Sequence, residues 1–172
     1  VIFAAGYPRA ISEGWLDRII SSRESIDISI HIVPSEIENA ITKLNQELVK
    51  QEADLMASQM KGIVNPSLKL QHEDTMKVLE KLQKGEEKLF SISLYANARA
   101  ENREALEKLA RKAISEMNSI MIIPKVPFMK MAEAIKSVFP IQENRLDTLR
   151  EITSGALSAC FPFTTAYFPR ET

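Results

Sequence analysis

Three side chains in this sequence could bind a metal ion or act as a nucleophile: His31, His72 and Cys160. They lie far apart, and the chain has no C-x-x-C or H-E-x-x-H spacing, the patterns that zinc sites usually show. Cys160 precedes Phe161-Pro162-Phe163, so we expect a buried thiol with a raised pKa and little reactivity. The sequence therefore predicts two ordinary polar histidines, a cysteine that packs as a small hydrophobic residue, and no cofactor.

The glycines and carboxylates offer no catalytic pattern. None of the five glycines opens the G-x-x-x-x-G-K-[ST] loop that cradles nucleotide phosphates. The G-x-S-x-G turn of serine hydrolases is also absent from the sequence. The carboxylates of Glu86, Glu87, Glu101 and Glu104 fit solvated charges at helix ends. We therefore predict a chain without catalytic residues, which should neither bind nor hydrolyse ATP.

Basic residues gather in and just before a predicted helix at about 102–118, but glutamates interrupt them. The basic residues are Arg99, Arg103, Lys108, Arg111 and Lys112. Glu101, Glu104 and Glu107 lie among them, a pattern typical of a soluble face with i,i+4 ion pairs. The net charge of −1 gives no general attraction for nucleic acid. We expect no direct nucleic-acid binding, and an independent nucleic-acid-binding module stays an alternative that salt-sensitive DNA binding would reveal.

Composition places the chain among ordinary globular proteins. Its 172 residues suffice for one hydrophobic core, with 45% apolar and 26% charged residues. A single cysteine rules out an intrachain disulfide and fits a reducing compartment. No apolar run approaches the roughly 20 residues that span a bilayer. The chain opens directly on the strand-like Val1-Ile2-Phe3-Ala4-Ala5, which suggests a fragment of a longer protein.

Apolar periodicity predicts four strands and six helices. The strands come from short apolar runs and period-two alternation, at 1–5, 26–33, 88–98 and 120–123, and Pro124 after the last of them predicts an edge strand. The helices come from apolar residues at i, i+3 and i+4 spacing, at about 12–22, 36–61, 71–84, 102–118, 128–139 and 144–159. Ser35 and Glu38 have the spacing of a capping box at the start of the longest helix.

The order of these elements predicts an α+β fold with a ferredoxin-like, split βαβ antiparallel sheet. Alternation in the two middle strands predicts that one face of the sheet is exposed to water. The two helices between those strands form an inserted helical hairpin at 35–85, and extra helices follow at the C-terminal end. We therefore predict an α+β accessory domain at 1–139, followed by a helix and an aromatic segment at 140–172.

Three places offer apolar side chains to a partner. Leu55, Met56 and Met60 lie near the end of the long helix, beyond the part that a shorter hairpin partner covers. They predict a docking surface, although the same stripe could equally close on its own domain. Tyr7 is a candidate interface anchor, whereas Trp15 is expected to pack the first helix onto the sheet. The aromatic tail either folds back or packs against another copy, through Phe161, Phe163, Tyr167 and Phe168.

Segments near both ends of the chain carry a family resemblance. Near the start they are Gly6-Tyr7-Pro8-Arg9, Gly14-Trp15-Leu16 and Asp27-Ile28-Ser29-Ile30-His31-Ile32. Near the end stands Ala159-Cys160-Phe161-Pro162-Phe163-Thr164-Thr165. In this order and spacing they resemble the conjugal-transfer (VirB-type) ATPases of type IV secretion systems, in the stretch just upstream of the nucleotide-binding motor.

The resemblance implies a non-catalytic domain for assembly and docking, with 140–172 leading toward a motor domain. The whole protein it resembles would hydrolyse ATP at the cytoplasmic face of the cell membrane and power conjugative transfer of DNA or protein. The implied partners are other subunits of the secretion machine, or another copy of the chain, and the implied location is the inner face of the membrane. The residues alone leave open an independent helical-hairpin module for protein interaction.

Overall fold

The computed structural model describes residues 1–9, 11–22, 24–62, 65–140 and 143–160. Within them the protein is mixed α+β, with an open antiparallel sheet of five strands and with six helices, so the predicted class is confirmed. The strands are β1 (Ile2–Gly6), β2 (Ile26–Pro34), β3 (Leu89–Ala98), β4 (Ile123–Lys125) and β5 (Arg150–Thr153). The helices are α1 (Asp17–Ile20), α2 (Ile37–Met60), α3 (Pro66–Gln83), α4 (Arg103–Ser119), α5 (Met131–Val138) and α6 (Ser154–Ala159).

The hydrogen-bonded order of the sheet is β2-β3-β1-β4, and β5 pairs with β3. β1 is antiparallel to both neighbours, with Phe3 opposite Tyr95 in β3 and opposite Lys125 in β4. The predicted edge position of Pro124 is confirmed, because β4 ends this order and a proline there interrupts no further ladder. Gly6 permits the close approach of β1 and β4, since a Cβ there would lie 2.9 Å from Ile123 Cδ1.

The chain divides into two compact units. The sheet unit comprises 1–33, 91–151 and, among the described residues, 156–160. The hairpin unit comprises 34–90 and 152–155, and it contains α2 and α3.

The sheet unit has its core along β3. Both faces of this strand are buried, since Ile92, Ser93, Leu94 and Tyr95 are at most 2% exposed. The expectation that one face meets water is therefore wrong for β3, because the polar side chains of its second face find hydrogen-bond partners inside the unit. Helix α4 covers the core as predicted and buries Leu109, Ala113 and Met117.

The hairpin unit consists of α2 packed along α3, as predicted. α3 begins at Pro66 rather than near residue 71, because the Asn65 side chain accepts a hydrogen bond from the Leu68 N–H at 3.2 Å and caps it. The N-cap position is held by Glu36 without a side-chain cap, one residue later than the predicted capping box places it, and the Ser35 N–H donates to Leu89 O at 3.0 Å.

Three further predictions require correction. The helix expected at 12–22 shrinks to α1, because Gly14 adopts a φ of +72° and residues 13–16 form turns. The helix expected at 144–159 is replaced by an irregular segment, β5 and the short α6; Asp147 has a φ of 49°, which no α-helix accommodates. The strand expected at 120–123 starts only at Ile123, because a φ of 61° at Met121 ends the preceding turn.

Candidate functional site

The exposed face of α2 carries an apolar stripe. Val49 is 68% exposed, Met56 62% and Met60 90%. With the exposed Ala53 they recur at four- and three-residue spacing, which places them on one side of the helix. We call Val49, Ala53, Met56 and Met60 the outer stripe. Of the predicted docking residues Met56 and Met60 belong to it, whereas Leu55 is half-buried. Val49 was not among the predicted docking residues, although its spacing from Met56 and Met60 in the sequence places it on the same side of the helix.

A polar layer lies between the two helices of the hairpin. Gln51 is only 6% exposed, and its Nε2 donates to Glu47 Oε1 at 3.2 Å and to Thr75 Oγ1 at 3.3 Å. Its Oε1 is buried without a hydrogen-bond partner among the described residues. Nε2 of His72 is likewise buried without a hydrogen bond there, 3.5 Å from Glu52 Oε1. The layer therefore leaves two buried polar atoms unsatisfied.

A groove of about 460 Å³ opens beside this layer, and we call it the hairpin groove. Its apolar side chains are Leu48 from α2 and Met76 and Leu79 from α3. Charged and polar side chains complete its lining: Glu73, Lys77, Glu80 and Gln83. Lys84 pairs with Glu80 at 2.6 Å and lowers the pKa of that carboxyl.

The sheet unit carries a second exposed apolar surface, which sequence reasoning missed. Around β4 the exposed fractions are 74% for Met121, 57% for Ile123, 51% for Val126, 84% for Phe128 and 88% for Met129. We call residues 121–130 the apolar loop. Buried Pro127 anchors its middle, and α5 starts at Met131 rather than at residue 128 as predicted. The apolar residues of this segment have helical spacing, so the sequence predicted a helix and gave no sign that these side chains are exposed.

Tyr7, Trp15 and Cys160 form one cluster in the sheet unit. The two rings meet edge to face, with centroids 6.4 Å apart. Trp15 Nε1 donates to Cys160 Sγ at 3.3 Å, and the thiol donates to Ala156 O at 3.3 Å. Burial raises the pKa of Cys160, as predicted, and raises the pKa of Tyr7 well above its ordinary range. Tyr7 Oη is buried without a hydrogen-bond partner in the described chain, and Trp15 packs in the core as predicted.

The aromatic tail residues Phe161, Phe163, Tyr167 and Phe168 lie outside the described residues. Their predicted interactions stay predictions.

A polar network fills the second face of β3. The Tyr95 hydroxyl lies 2.6 Å from Asn144 Oδ1 and 3.0 Å from Thr148 Oγ1, and Asn144 Nδ2 donates to Ser93 Oγ at 3.0 Å. His31 Nε2 lies 2.5 Å from the carbonyl oxygen of Ser137, which can only accept, so this nitrogen carries the proton. These hydrogen bonds fix the irregular segment before β5 against β3. The polar atoms of the network have hydrogen-bond partners, as polar groups in a structural core usually do.

Carboxylates neutralise much of the basic character around α4. Lys112 pairs with Glu24 at 2.6 Å, Arg99 with Asp27 at 2.7 Å and Arg103 with Glu107 at 2.9 Å. These contacts break the continuity that a nucleic-acid-binding stripe requires.

In the described ranges, no group of three or more His, Cys, Asp or Glu side chains is placed to hold a metal ion. No helix of that part of the chain combines the length and hydrophobicity needed to cross a membrane. No known protein-family model matches the chain, and no curated protein matches its sequence.

Proposed function

We propose that the chain is a non-catalytic assembly and docking domain of a type IV secretion (conjugal-transfer) ATPase. The outer stripe carries the docking part of this proposal. Three large apolar side chains, Val49, Met56 and Met60, are each more than 60% exposed on one side of a helix that already has an inner packed face. Exposed apolar stripes of this kind are typical of surfaces that another protein covers.

The spatial arrangement of the terminal motifs supports the family part of the proposal. Tyr7 of the first motif packs on Trp15 of the second, and Trp15 donates to Cys160 of the last. Segments that resemble one family at both ends of the chain thus meet in one cluster. By the same resemblance, the chain would position an ATP-hydrolysing motor against neighbouring subunits at the cytoplasmic face of the membrane, without binding ATP itself.

The sheet order supports a finer assignment of the fold. A split βαβ sheet interleaves its two halves, so that each central strand is antiparallel to both neighbours. The order β2-β3-β1-β4, with β1 antiparallel to β3 and β4, agrees with that arrangement. We therefore propose the ferredoxin-like topology, with α2 and α3 as its inserted hairpin.

A mating assay tests the docking role in a donor that carries the gene in its own transfer system. The double variant Met56→Glu, Met60→Glu should reduce transfer frequency by about tenfold or more, the effect of losing about 1.4 kcal/mol of binding free energy. Gln46→Glu with Gln59→Glu is the matched control, because both glutamines are exposed on the same helix and the charge change is equal. Wild-type transfer in the methionine variant would contradict the docking role.

Two measurements test the family assignment. The reading frame beyond Thr172 should encode a phosphate loop, and calorimetry should detect no micromolar binding of ATP to this chain. An independent helical-hairpin interaction module is the second candidate, since the outer stripe supports it equally. The absence of a phosphate loop from that reading frame, together with a wild-type transfer frequency in the methionine variant, would favour that module.

A further inference from the structure

We propose that the outer edge of β2 pairs with β2 of a second copy of this chain, so that the two sheets join as one antiparallel sheet. Among the described residues β2 pairs with β3 alone, and it ends the hydrogen-bonded order of the sheet. The proposal does not depend on the outer stripe or on the family resemblance.

The register of β2 against β3 determines which backbone groups of β2 face away from β3. The Arg99 N–H donates to Ser25 O at 3.0 Å, and at the other end of β2 the Ser35 N–H donates to Leu89 O at 3.0 Å. In an antiparallel ladder, directly opposite residues exchange hydrogen bonds at every second position. Both bonds belong to one register, in which the odd-numbered residues of β2 bond to β3. The even-numbered residues therefore turn their N–H and C=O groups toward the open edge. Among them are Ile28, Ile30 and Ile32.

The two edges of the sheet differ in their protection against pairing. At one edge β4 has only three residues and contains a proline and a lysine, features that hinder the addition of another strand. At the other edge β2 has nine residues, no lysine, and its only proline at the last position. An edge of this length and composition is a ready template for another strand.

An open strand edge restricts its occupant more than an apolar groove does. A row of N–H and C=O groups at strand spacing is satisfied by another extended backbone, which carries the complementary groups at the same spacing. On one face of β2 the occupant also meets a groove of about 290 Å³, which we call the isoleucine groove. Its lining is Ile20 of α1 with Ile26, Ile28 and Ile30 of β2. The occupant therefore needs an extended backbone with alternate apolar side chains.

β2 of a second copy has both properties. Two identical antiparallel strands pair around a two-fold axis, the commonest symmetry of soluble oligomers. With Ile30 at the axis, Ile28 of one copy lies opposite Ile32 of the other. Opposite residues of an antiparallel pair share a face, so the isoleucine grooves of both copies lie on the same side of the joined sheet.

The polar face of β2 is compatible with the same register. Ser29 of one copy lies opposite His31 of the other, which places a hydroxyl beside an imidazole. Asp27 is the only carboxylate on β2, which has no lysine or arginine, and Arg99 pairs with it at 2.7 Å. In the joined sheet Asp27 lies opposite Val33 of the other copy. The pairing thus brings no like charges together.

Sedimentation of the whole chain at increasing concentration tests the pairing. The wild type should form a dimer, and Ile30→Lys should weaken the association constant by about tenfold or more, because two ammonium groups would meet at the axis. Ile135→Lys is the matched control and should associate as the wild type does, since Ile135 is an isoleucine of the sheet unit on α5, 43% exposed. A wild type that stays monomeric at about 100 μM, far above a micromolar dissociation constant, would refute the pairing.

Amide hydrogen exchange of the wild type, read by NMR, tests the pairing without any substitution. In the dimer the N–H groups of Ile28, Ile30 and Ile32 should exchange slowly, and dilution by about hundredfold, to below the dissociation constant, should speed their exchange. The N–H groups of Ser29 and His31 face β3 in this register and should stay protected at both concentrations. β2 therefore carries its own control.

Two results of the exchange experiment would overturn the proposal. Fast exchange of the even-numbered isoleucine amides in the concentrated protein would show that the edge is open. Slow exchange in a monomer, lost on removal of 161–172, would assign the edge to the tail of the same chain. The mating assay changes α2 alone, so its outcome is independent of these results.

Discussion

The sheet unit and the hairpin unit differ in how far hydrogen bonds connect their buried polar side chains. In the sheet unit Tyr95, Asn144 and Ser93 are joined by hydrogen bonds of 2.6 and 3.0 Å. Each unit also buries two polar atoms without a hydrogen bond among the described residues: Tyr7 Oη and Glu116 Oε2 in the sheet unit, and Gln51 Oε1 and His72 Nε2 in the hairpin unit. A satisfied buried network favours one arrangement of the chain, whereas an unsatisfied group costs stability. The connected network, rather than the number of unpaired buried atoms, distinguishes the sheet unit.

The apolar cores differ in the same direction. β3 buries residues on both faces in the sheet unit. The hairpin unit has a small cluster of Ala40, Leu82 and Leu89, against which the partly buried Leu44 and Val78 pack. Regions with few buried apolar contacts open at lower free energy, and binding surfaces are commonly found in them. The hairpin unit, which carries the outer stripe and the groove, fits that pattern.

The largest expected effect comes from truncating one leucine in each core. Leu94→Ala should lower the free energy of unfolding by about 2–5 kcal/mol, the range for a fully buried leucine. Leu44→Ala should cost only about 1 kcal/mol, because its site is partly buried and a smaller cavity results. Urea denaturation followed by circular dichroism measures both. Equal losses would show that the two cores are equally packed.

A smaller effect is expected from removing one tyrosine hydroxyl. Tyr95→Phe should destabilise the protein by about 1–2 kcal/mol, since Asn144 and Thr148 lose a partner. Tyr7→Phe is the contrasting variant: its hydroxyl is buried without a hydrogen bond among the described residues, so its removal should not lower the free energy of unfolding and should raise it slightly. Chemical denaturation measures both variants, and equal losses of unfolding free energy would contradict a stabilising role of the network.

In the hairpin unit, replacing a buried polar side chain is expected to stabilise the protein rather than destabilise it. Gln51→Leu should raise the free energy of unfolding by about 1 kcal/mol, because a buried acceptor without a partner is replaced by an apolar group. Gln46→Leu, on the exposed side of the same helix, should leave stability nearly unchanged. A destabilised Gln51→Leu variant would mean that its bonds to Glu47 and Thr75 outweigh the unsatisfied oxygen.

The smallest effect is expected from the pH dependence of Glu87. Burial alone would raise the pKa of this carboxyl, but hydrogen bonds from Ser154 and from the Gly155 N–H, with the charge of Lys81, hold the pKa below its ordinary 4.5. A lowered folded-state pKa contributes stability above 4.5, and this contribution disappears as the pH falls through the folded-state value.

Urea denaturation of the wild type and Glu87→Gln at several pH values measures this contribution. The difference in unfolding free energy should be constant near neutral pH and shrink as the pH drops below 4.5. Glu86→Gln provides the control at an exposed neighbour. A difference that does not change with pH would show that ionised Glu87 does not stabilise the fold.

Local periodicity was sufficient to predict the elements whose neighbours in sequence decide their structure. α4 follows from its apolar stripe and from Asn102, whose side chain accepts from the Ala105 N–H at 2.8 Å. β1 and the hairpin follow from a short apolar run and from two stripes separated by a turn. For the candidate site, Met56 and Met60 are exposed as expected, but Leu55 is half-buried, and the expected reason, a hairpin partner too short to cover the end of the long helix, does not hold because α3 already starts at Pro66.

The elements that were missed depend on partners remote in the chain. The apolar residues of the segment before β5 have helical spacing. Its conformation depends instead on the hydrogen bonds of Asn144 and Thr148 with Tyr95, about 50 residues away, which a local sequence pattern cannot predict. Likewise, the sequence around Gln51 is typical of a solvated side chain, whereas in the structure Thr75 of α3 accepts a hydrogen bond from it.

The amino-acid sequence by itself determined the α+β class, the hairpin, the edge position of Pro124 and the apolar setting of Cys160. Each of these follows from side-chain periodicity or from the stereochemistry of one residue. Only the tertiary structure decided that both faces of β3 are buried, that the outer stripe and the apolar loop are left exposed, and that Gln51 is buried between α2 and α3. Burial depends on which distant segment covers a surface, and short-range patterning carries no information about that cover.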